Sequence, residues 1–329
     1  FDSCIKPVEY VILDFDTKDG QKTFSDMNKK ALDEGYEGLM IKPIIGIVIV
    51  LLVSSALVVA GSQGSVYVPR VPLFAICASV GFLLHWLVFI PSYYYQTEHY
   101  FDLTGSVSYV ASVITAIVMH PLLDLRGLII AILVAIWAIR LGSFLFIRVR
   151  KAGHDRRFAE LKKSFWRYLF TWTLGGAWVF ITMAAALASI TSMTQRPLGV
   201  WMLIGLILWV IGFSIEVMAD RQKSDFRRDS ANAEKFIKTG LWKYSRHPNY
   251  FGEIVLWLGI AVIAYPTLVG WQYAALASPI FVTFLLVKVS GVKLLEESGL
   301  KRWGSDPAYQ EYIANTSVLF PMPSRIDTN

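Results

Sequence analysis

The sequence predicts an all-α protein, a polytopic transmembrane helix bundle of seven or eight spans, and three observations predict it. Hydrophobic residues fill 55% of the 329 positions and the mean hydropathy is +0.49, more apolar side chain than one water-soluble core of this length buries. Charged residues are only 17% and they cluster, which leaves long stretches with almost none. Those stretches number eight, near 43–62, 72–94, 104–119, 127–147, 168–190, 197–218, 250–265 and 270–289. Several are short for a membrane crossing, hence seven or eight.

Residues 1–42 differ from everything after them: they are polar, of mixed charge, and hold a strand pattern from Val8 to Phe15 before the turn signal Lys18-Asp19-Gly20. The string Glu34-Gly35-Tyr36-Glu37-Gly38-Leu39-Met40-Ile41-Lys42 resembles a motif of ATP-dependent DNA ligases. The nucleotidyl-lysine pattern Lys-x-Asp-Gly is missing, so the segment is read as a polar leader, a remnant without activity of its own. Met40 then stands as a native start, and no tripartite signal-peptide pattern is present. Residues 43–329 form the membrane-embedded domain.

The loops set the expected orientation, because Lys and Arg are retained on the cytoplasmic side. The loop after the fourth segment carries Arg148, Arg150, Lys151, Arg156, Arg157, Lys162, Lys163 and Arg167, and the loop after the sixth carries Arg221 through Arg246, eight basic residues. Opposite loops offer Arg70, Arg126 and Arg196. With eight spans, both basic loops, both termini and the loop holding Glu98 share the cytoplasmic face. The net charge of +6 is thus topological and does not argue for nucleic acid. Cys4 and Cys77 give neither a disulfide framework nor metal-ligand spacing. No Gly-x-Gly-x-x-Gly follows a strand, which excludes a Rossmann domain, and nothing marks an obligate protein partner.

The segment from Glu216 to Glu253 is the richest in chemistry. Glu216 and Asp220 are i and i+4 near the end of an apolar helix, and carboxylates there demand a partner or a ligand. Arg227, Arg228 and Lys235 follow, then Gly240-Leu241-Trp242-Lys243-Tyr244-Ser245-Arg246-His247-Pro248-Asn249-Tyr250, then Gly252 and Glu253. Pro248 suits a first helical turn whose free amides, with Arg246 and His247 beside them, form an anion site suited to phosphate. Gly252 leaves room for a flat ligand, and Asn249 is able to hydrogen-bond a carboxamide. Positive-inside charge explains any single Arg or Lys of this loop, but not basic residues arriving together with Asp220, His247, Asn249 and Glu253.

A second patch, Tyr93-Tyr94-Tyr95-Gln96-Thr97-Glu98-His99-Tyr100-Phe101-Asp102, lies at the mouth of the second and third segments. Its tyrosines read as an interfacial belt. Glu98 and Asp102 are again i and i+4, on the face expected to look toward the basic loops.

The run Asp220 to Glu253, with Trp172-Thr173-Leu174, Gly153-His154-Asp155-Arg156-Arg157, Ser290 to Glu296 and the Tyr309 to Pro321 tail, resembles the steroid 5-alpha-reductase family, and its bacterial members most. The resemblance covers most of residues 70–323. It implies NADPH-dependent reduction of a carbon–carbon double bond conjugated to a carbonyl, as in a 3-oxo-4-ene steroid, by an integral protein of a bacterial inner membrane. Asp220, Arg227 and Asn249 match the family's cofactor-contacting residues, Lys235 stands where an arginine is used, and Arg140 and Lys151 fall among basic residues around the phosphates. Glu216, Arg246, His247 and Tyr250 complete the expected cofactor site. Near Glu98 the family has a glutamate, partnered by a tyrosine that polarises the substrate carbonyl; here Trp137 takes the tyrosine's place.

Hydride delivery to an enone's β-carbon pushes electrons onto the carbonyl oxygen, which calls for a proton or hydrogen-bond donor in a dry pocket. Glu98 is expected in that role as a buried carboxyl, with Asp102 or Tyr95 orienting it. The apolar substrate is expected from the lipid and NADPH from the cytoplasm. Two other readings share features of the sequence. An isoprenylcysteine carboxyl methyltransferase also opens a membrane helix with Arg-His-Pro-x-Tyr, but S-adenosylmethionine lacks the phosphates that a basic collar suits. A transporter or lipid-binding protein accounts for the buried acids, yet here they gather at one face instead of at mid-membrane.

Overall fold

The structure, a computed structural model, describes residues 18–152 and 158–323, with side chains described from Met40 onward except at 151–152. It is 77% helix. Among the described residues, seven helices are long and apolar enough to cross a membrane, or eight with one bent pair taken as a single span. The chain is a polytopic helical bundle.

The first helix, α1 (Lys18–Gly61), runs unbroken through Pro43, so the boundary expected at 42/43 falls inside it. Lys18-Asp19-Gly20 opens this helix instead of making a turn; residues 21–42 hold no proline and few β-branched residues, and their helical propensity outweighs one short turn signal. The expected strand from Val8 to Phe15 lies outside the described residues. A hairpin of β1 (Tyr67–Val68) and β2 (Val71–Pro72) leads into α2 (Leu73–Tyr94), then α3 (Phe101–Met119) and α4 (Leu125–Ala152). Each coincides with an apolar run.

The segment expected as one span at 168–190 is two helices, α5 (Phe165–Thr182) and α6 (Ala184–Ile190), bent by 54°. Every residue of α6 is buried, because its run of alanines fits against protein where bulkier side chains would hold neighbours apart. After α7 (Val200–Arg228) and α8 (Pro248–Ala264), the last crossing is assembled from a 3-10 stretch over Gly270–Ala277, α9 (Ser278–Phe284), a π turn over Leu285–Val289 and α10 (Val292–Trp303), with α11 (Pro307–Asn315) beyond it.

Hydrogen bonds at the helix ends sort the loops into two faces. On one, Val66 N–H donates to Thr191 O at 2.8 Å, Ser192 Oγ to Thr267 O at 3.1 Å and Gln272 Nε2 to Gly61 O at 3.0 Å. On the other, Tyr168 donates its hydroxyl to Thr97 O at 2.7 Å and Lys162 pairs with Glu98. This second face, the loop face, gathers the polar segments.

A close backbone-to-backbone contact joins α7 to α8. Gly205 and Gly212 on α7 meet Gly259 and Gly252 on the antiparallel α8: a Cβ at Gly252 would stand 2.6 Å from both Glu216 N and Gly212 O, and one at Gly259 would stand 2.6 Å from Gly205 O. Backbones this close need glycine at both heights. Gly252 is therefore filled by α7, which corrects its reading as a ligand-approach site.

Candidate functional site

The close α7–α8 contact carries three acids into the loop-face half of the bundle. Glu216 is 2% exposed and Asp220 7%, one turn apart on α7 as their spacing requires, and Glu253 follows Gly252 on α8, buried and within electrostatic reach of Asp220 and Arg140. Arg140 on α4 clamps the two α7 acids, donating from Nη1 to Glu216 Oε1 and from Nη2 to Asp220 Oδ2, each at 2.7 Å. Trp137, one turn earlier on α4, donates its indole N–H to the other Glu216 oxygen at 3.0 Å. Arg140 is thus engaged by carboxylates, not turned toward phosphates as expected, and Glu216 and Asp220 find their partner within the protein.

Trp137 also joins a buried aromatic cluster. Its ring meets Tyr109 edge-on at 5.1 Å and Trp257 at 4.9 Å. The Tyr109 hydroxyl is fully buried beside that of Thr182 at the α5–α6 bend, within hydrogen-bonding reach of it and of no other side chain. A bond between two hydroxyls uses one of their two hydrogens, so the pair still has a donor to offer a third group. Sequence reasoning missed Tyr109: it sits in an apolar helix with no neighbouring charge, and only packing brings it beside Trp137.

The loop from 229 to 247 folds back over the bundle. Trp242 Nε1 donates to Ala219 O at 3.1 Å, Leu241 N to Gln222 Oε1 at 2.9 Å, and Tyr312 on α11 donates its hydroxyl to Trp242 O at 2.8 Å. Lys223 lies over the Trp242 ring at 4.6 Å. At the start of α8, Glu296 of α10 takes Arg246 Nη1 at 2.5 Å and His247 Nε2 at 2.7 Å. Because Glu296 accepts from Nε2–H, His247 Nδ1 is an acceptor. It is buried without a partner, and so is Arg246 Nε. Burial holds the His247 imidazole below the ordinary histidine range against the opposing hydrogen bond and charge of Glu296. The Tyr250 ring stacks on His247 at 5.7 Å, and Asn249 is half-buried in the same turn.

Other expected residues lie apart from this turn. Arg227 is exposed, over the Trp303 ring at 5.5 Å, and Lys235 is exposed on the loop; two further helical turns separate Arg227 from Asp220, about 10 Å along the axis. A spacing of seven keeps a side but not a contact. Lys151 closes α4 with its side chain outside the described residues, as are 153–157 with their Gly-His-Asp-Arg-Arg string. Glu98 precedes α3 instead of sharing a helical face with Asp102: Phe101 N–H donates to Glu98 O at 2.9 Å. Its carboxylate, 3% exposed, is ion-paired with Lys162, and an ion-paired carboxylate has no proton to give, which corrects its reading as the acid. Tyr95, 72% exposed and packed on Tyr94, caps α2 facing outward and is no orienter of Glu98. Asp102 is half-buried in the first turn of α3. Among the described residues no cluster of His, Cys, Asp or Glu is built to hold a metal.

A family described as a protein of unknown function, DUF1295, matches residues 88–316. The chain belongs to the DUF1295 family. That family falls within the steroid 5-alpha-reductase-like group. Curated relatives of this DUF1295 protein include an uncharacterised protein of Schizosaccharomyces pombe, 24% identical over 60% of this chain and 63% of its own length. Bovine 3-oxo-5-alpha-steroid 4-dehydrogenase 1 is 35% identical over 22% of this chain and 28% of its own, and the human enzyme 30% over 34% and 40%. The chain thus matches less than two thirds of the length of each. No solved structure matches.

Proposed function

We propose that this DUF1295 protein is an NADPH-dependent reductase of an apolar enone, with the loop face toward the cytoplasm and a 3-oxo-4-ene steroid as the substrate type that its relatives' names favour. One observation carries the reading. The folded-back α7–α8 loop offers a buried donor, Arg246 Nε, and a buried acceptor, His247 Nδ1, neither satisfied by the protein. A phosphate oxygen suits the first and a ribose hydroxyl the second, which is the pairing a phosphorylated dinucleotide brings. S-adenosylmethionine has no phosphate for the arginine.

When bound, NADPH supplies the hydride that adds to the enone's β-carbon. The chain's own residues do the rest. Tyr109 donates its hydroxyl hydrogen bond to the carbonyl oxygen as negative charge develops there, and gives up the proton that completes the reduction. Trp137 and Trp257 wall the oxygen from water, which strengthens that hydrogen bond. Glu216 fixes the Trp137 indole, and Arg140 fixes Glu216. Glu98 and Lys162 pin the α2–α3 turn to the segment before α5 and act on shape instead of on the proton.

The test is anaerobic incubation of the purified protein with NADPH and a panel of 3-oxo-4-ene steroids and polyprenyl enones. A product heavier by two hydrogens supports the reading; an unchanged panel with bound NADPH removes the proposed substrate class.

A further inference from the structure

The face opposite the loop face carries a second polar centre. A cavity of about 360 Å³ opens there, lined by Asp124, Arg126, Gln195 and Arg196 with Leu125 and Leu198. Arg126 is 1% exposed. Its Nη1 donates to Ile263 O and its Nη2 to Pro197 O, both at 2.8 Å, while Nε is buried with no partner. Two carbonyls satisfy hydrogen bonds but do not neutralise a charge, and a buried guanidinium without an anion is costly. Asp124 acts on Arg126 through its charge but is not bonded to it: its Oδ1 accepts from Gly127 N–H at 2.7 Å, capping α4, and among the described residues no ion pair joins the two. The first turn of α4 begins beside the cavity, so its amides add positive potential.

The rim shows which anion fits. Leu125 and Leu198 on the cavity wall are 58% and 44% exposed, and Leu122, Val200 and Trp201, two or three positions along the chain from wall residues, are 74%, 61% and 45% exposed. A free ion has no use for such a rim, whereas a lipid lays its acyl chains along it. We propose that this cavity binds a phospholipid headgroup, with its phosphate between Arg126 and Arg196. Asp124, half-buried on the same wall, opposes a bare dianion and suits a headgroup carrying an amine next to its phosphate, as phosphatidylethanolamine does. The depth agrees, because Arg126 and Ile263 sit near the ends of crossing helices and Pro197 lies three residues before one, where headgroups lie.

Native mass spectrometry of the delipidated full chain in detergent tests the site, with phosphatidylethanolamine, a diacylglycerol of the same chains, and inorganic phosphate as probes. One phosphatidylethanolamine should bind saturably, with the diacylglycerol weaker by about ten-fold or more, the effect of one lost charged hydrogen bond. Arg196→Ala should weaken the lipid by a similar factor and Arg196→Lys should keep most of it. Arg196 is exposed, so the fold survives either change, and NADPH retention should stay as in the parent chain. Equal binding of diacylglycerol, or unchanged lipid binding in both Arg196→Ala and Arg126→Gln, overturns the proposal. Saturation by inorganic phosphate that also displaces the lipid assigns the site to the free ion and overturns the lipid reading.

Discussion

Replacing Arg140 with methionine should destabilise the protein severely, and the structure sets the scale. The guanidinium is the cation bonded to both Glu216 and Asp220, at 2.7 Å each, and those side chains are only 2% and 9% exposed. Removing one member of a buried ionic cluster strands the others and costs about 3–5 kcal/mol, or about two to three and a half decades in the folding equilibrium. The stranded charge is the cause, so Glu216→Gln should return part of the loss: glutamine still accepts from the Trp137 indole but carries no charge. Unfolding in detergent followed by tryptophan fluorescence reads the effect, with Trp137 as a reporter inside the cluster. A loss under about 1 kcal/mol in Arg140→Met would refute the clamp. So would a double variant Arg140→Met/Glu216→Gln no more stable than the single one.

Three further outcomes are expected. Tyr109→Phe should lower enone turnover by about 10²–10⁴-fold while leaving NADPH retention unchanged, as measured by steady-state rates beside equilibrium dialysis; equal loss of both would make Tyr109 structural. Gly252→Ala sets a Cβ 2.6 Å from two backbone atoms of α7, and should cost about 1–3 kcal/mol in unfolding experiments because neither helix backbone is able to give way locally. His247 is held below the usual histidine range by burial, so its contribution to stability is whole above pH of about 6.5 and is lost as the pH falls, since the unfolded chain then binds the proton more readily. Glu296 opposes that depression, so Glu296→Gln should deepen the acid loss in a pH series of unfolding curves, and a flat series would remove His247 from the account.

Most of the fold was legible because hydropathy alone marks lipid-facing helices. The charge clustering also placed the polar loops on one face, where the helix-end hydrogen bonds put them. What hydropathy does not carry is how helices meet. The bend at Met183 separates two equally apolar segments, and only the alanine run at 184–186 hints that α6 packs against protein instead of lipid. The seven-residue spacing of Gly205 and Gly212, repeated in Gly252 and Gly259, was a readable signal for the α7–α8 contact. Reading Gly252 by itself sent it to a ligand instead.

The site was legible as a neighbourhood and less so as a set of contacts. Glu216 and Asp220 are adjacent on α7 as the i, i+4 rule requires, but their partner Arg140 lies 76 and 80 positions earlier, a pairing that no local pattern encodes. Separations of 64 positions hid Lys162 from Glu98, and of 50 and 49 hid Glu296 from Arg246 and His247. Glu216, Asp220 and Glu98 had been read as groups awaiting cofactor or substrate, when the fold had already given each a cation.

Retention of NADPH against S-adenosylmethionine by the purified protein, with and without Arg246→Ala, tests the centre of this account. Saturable NADPH binding that weakens by about ten-fold or more in the variant, the loss of one charged hydrogen bond, is the result expected from the Arg246–His247 turn. Retention of the methyl donor alone, or NADPH held equally well by both proteins, would contradict it.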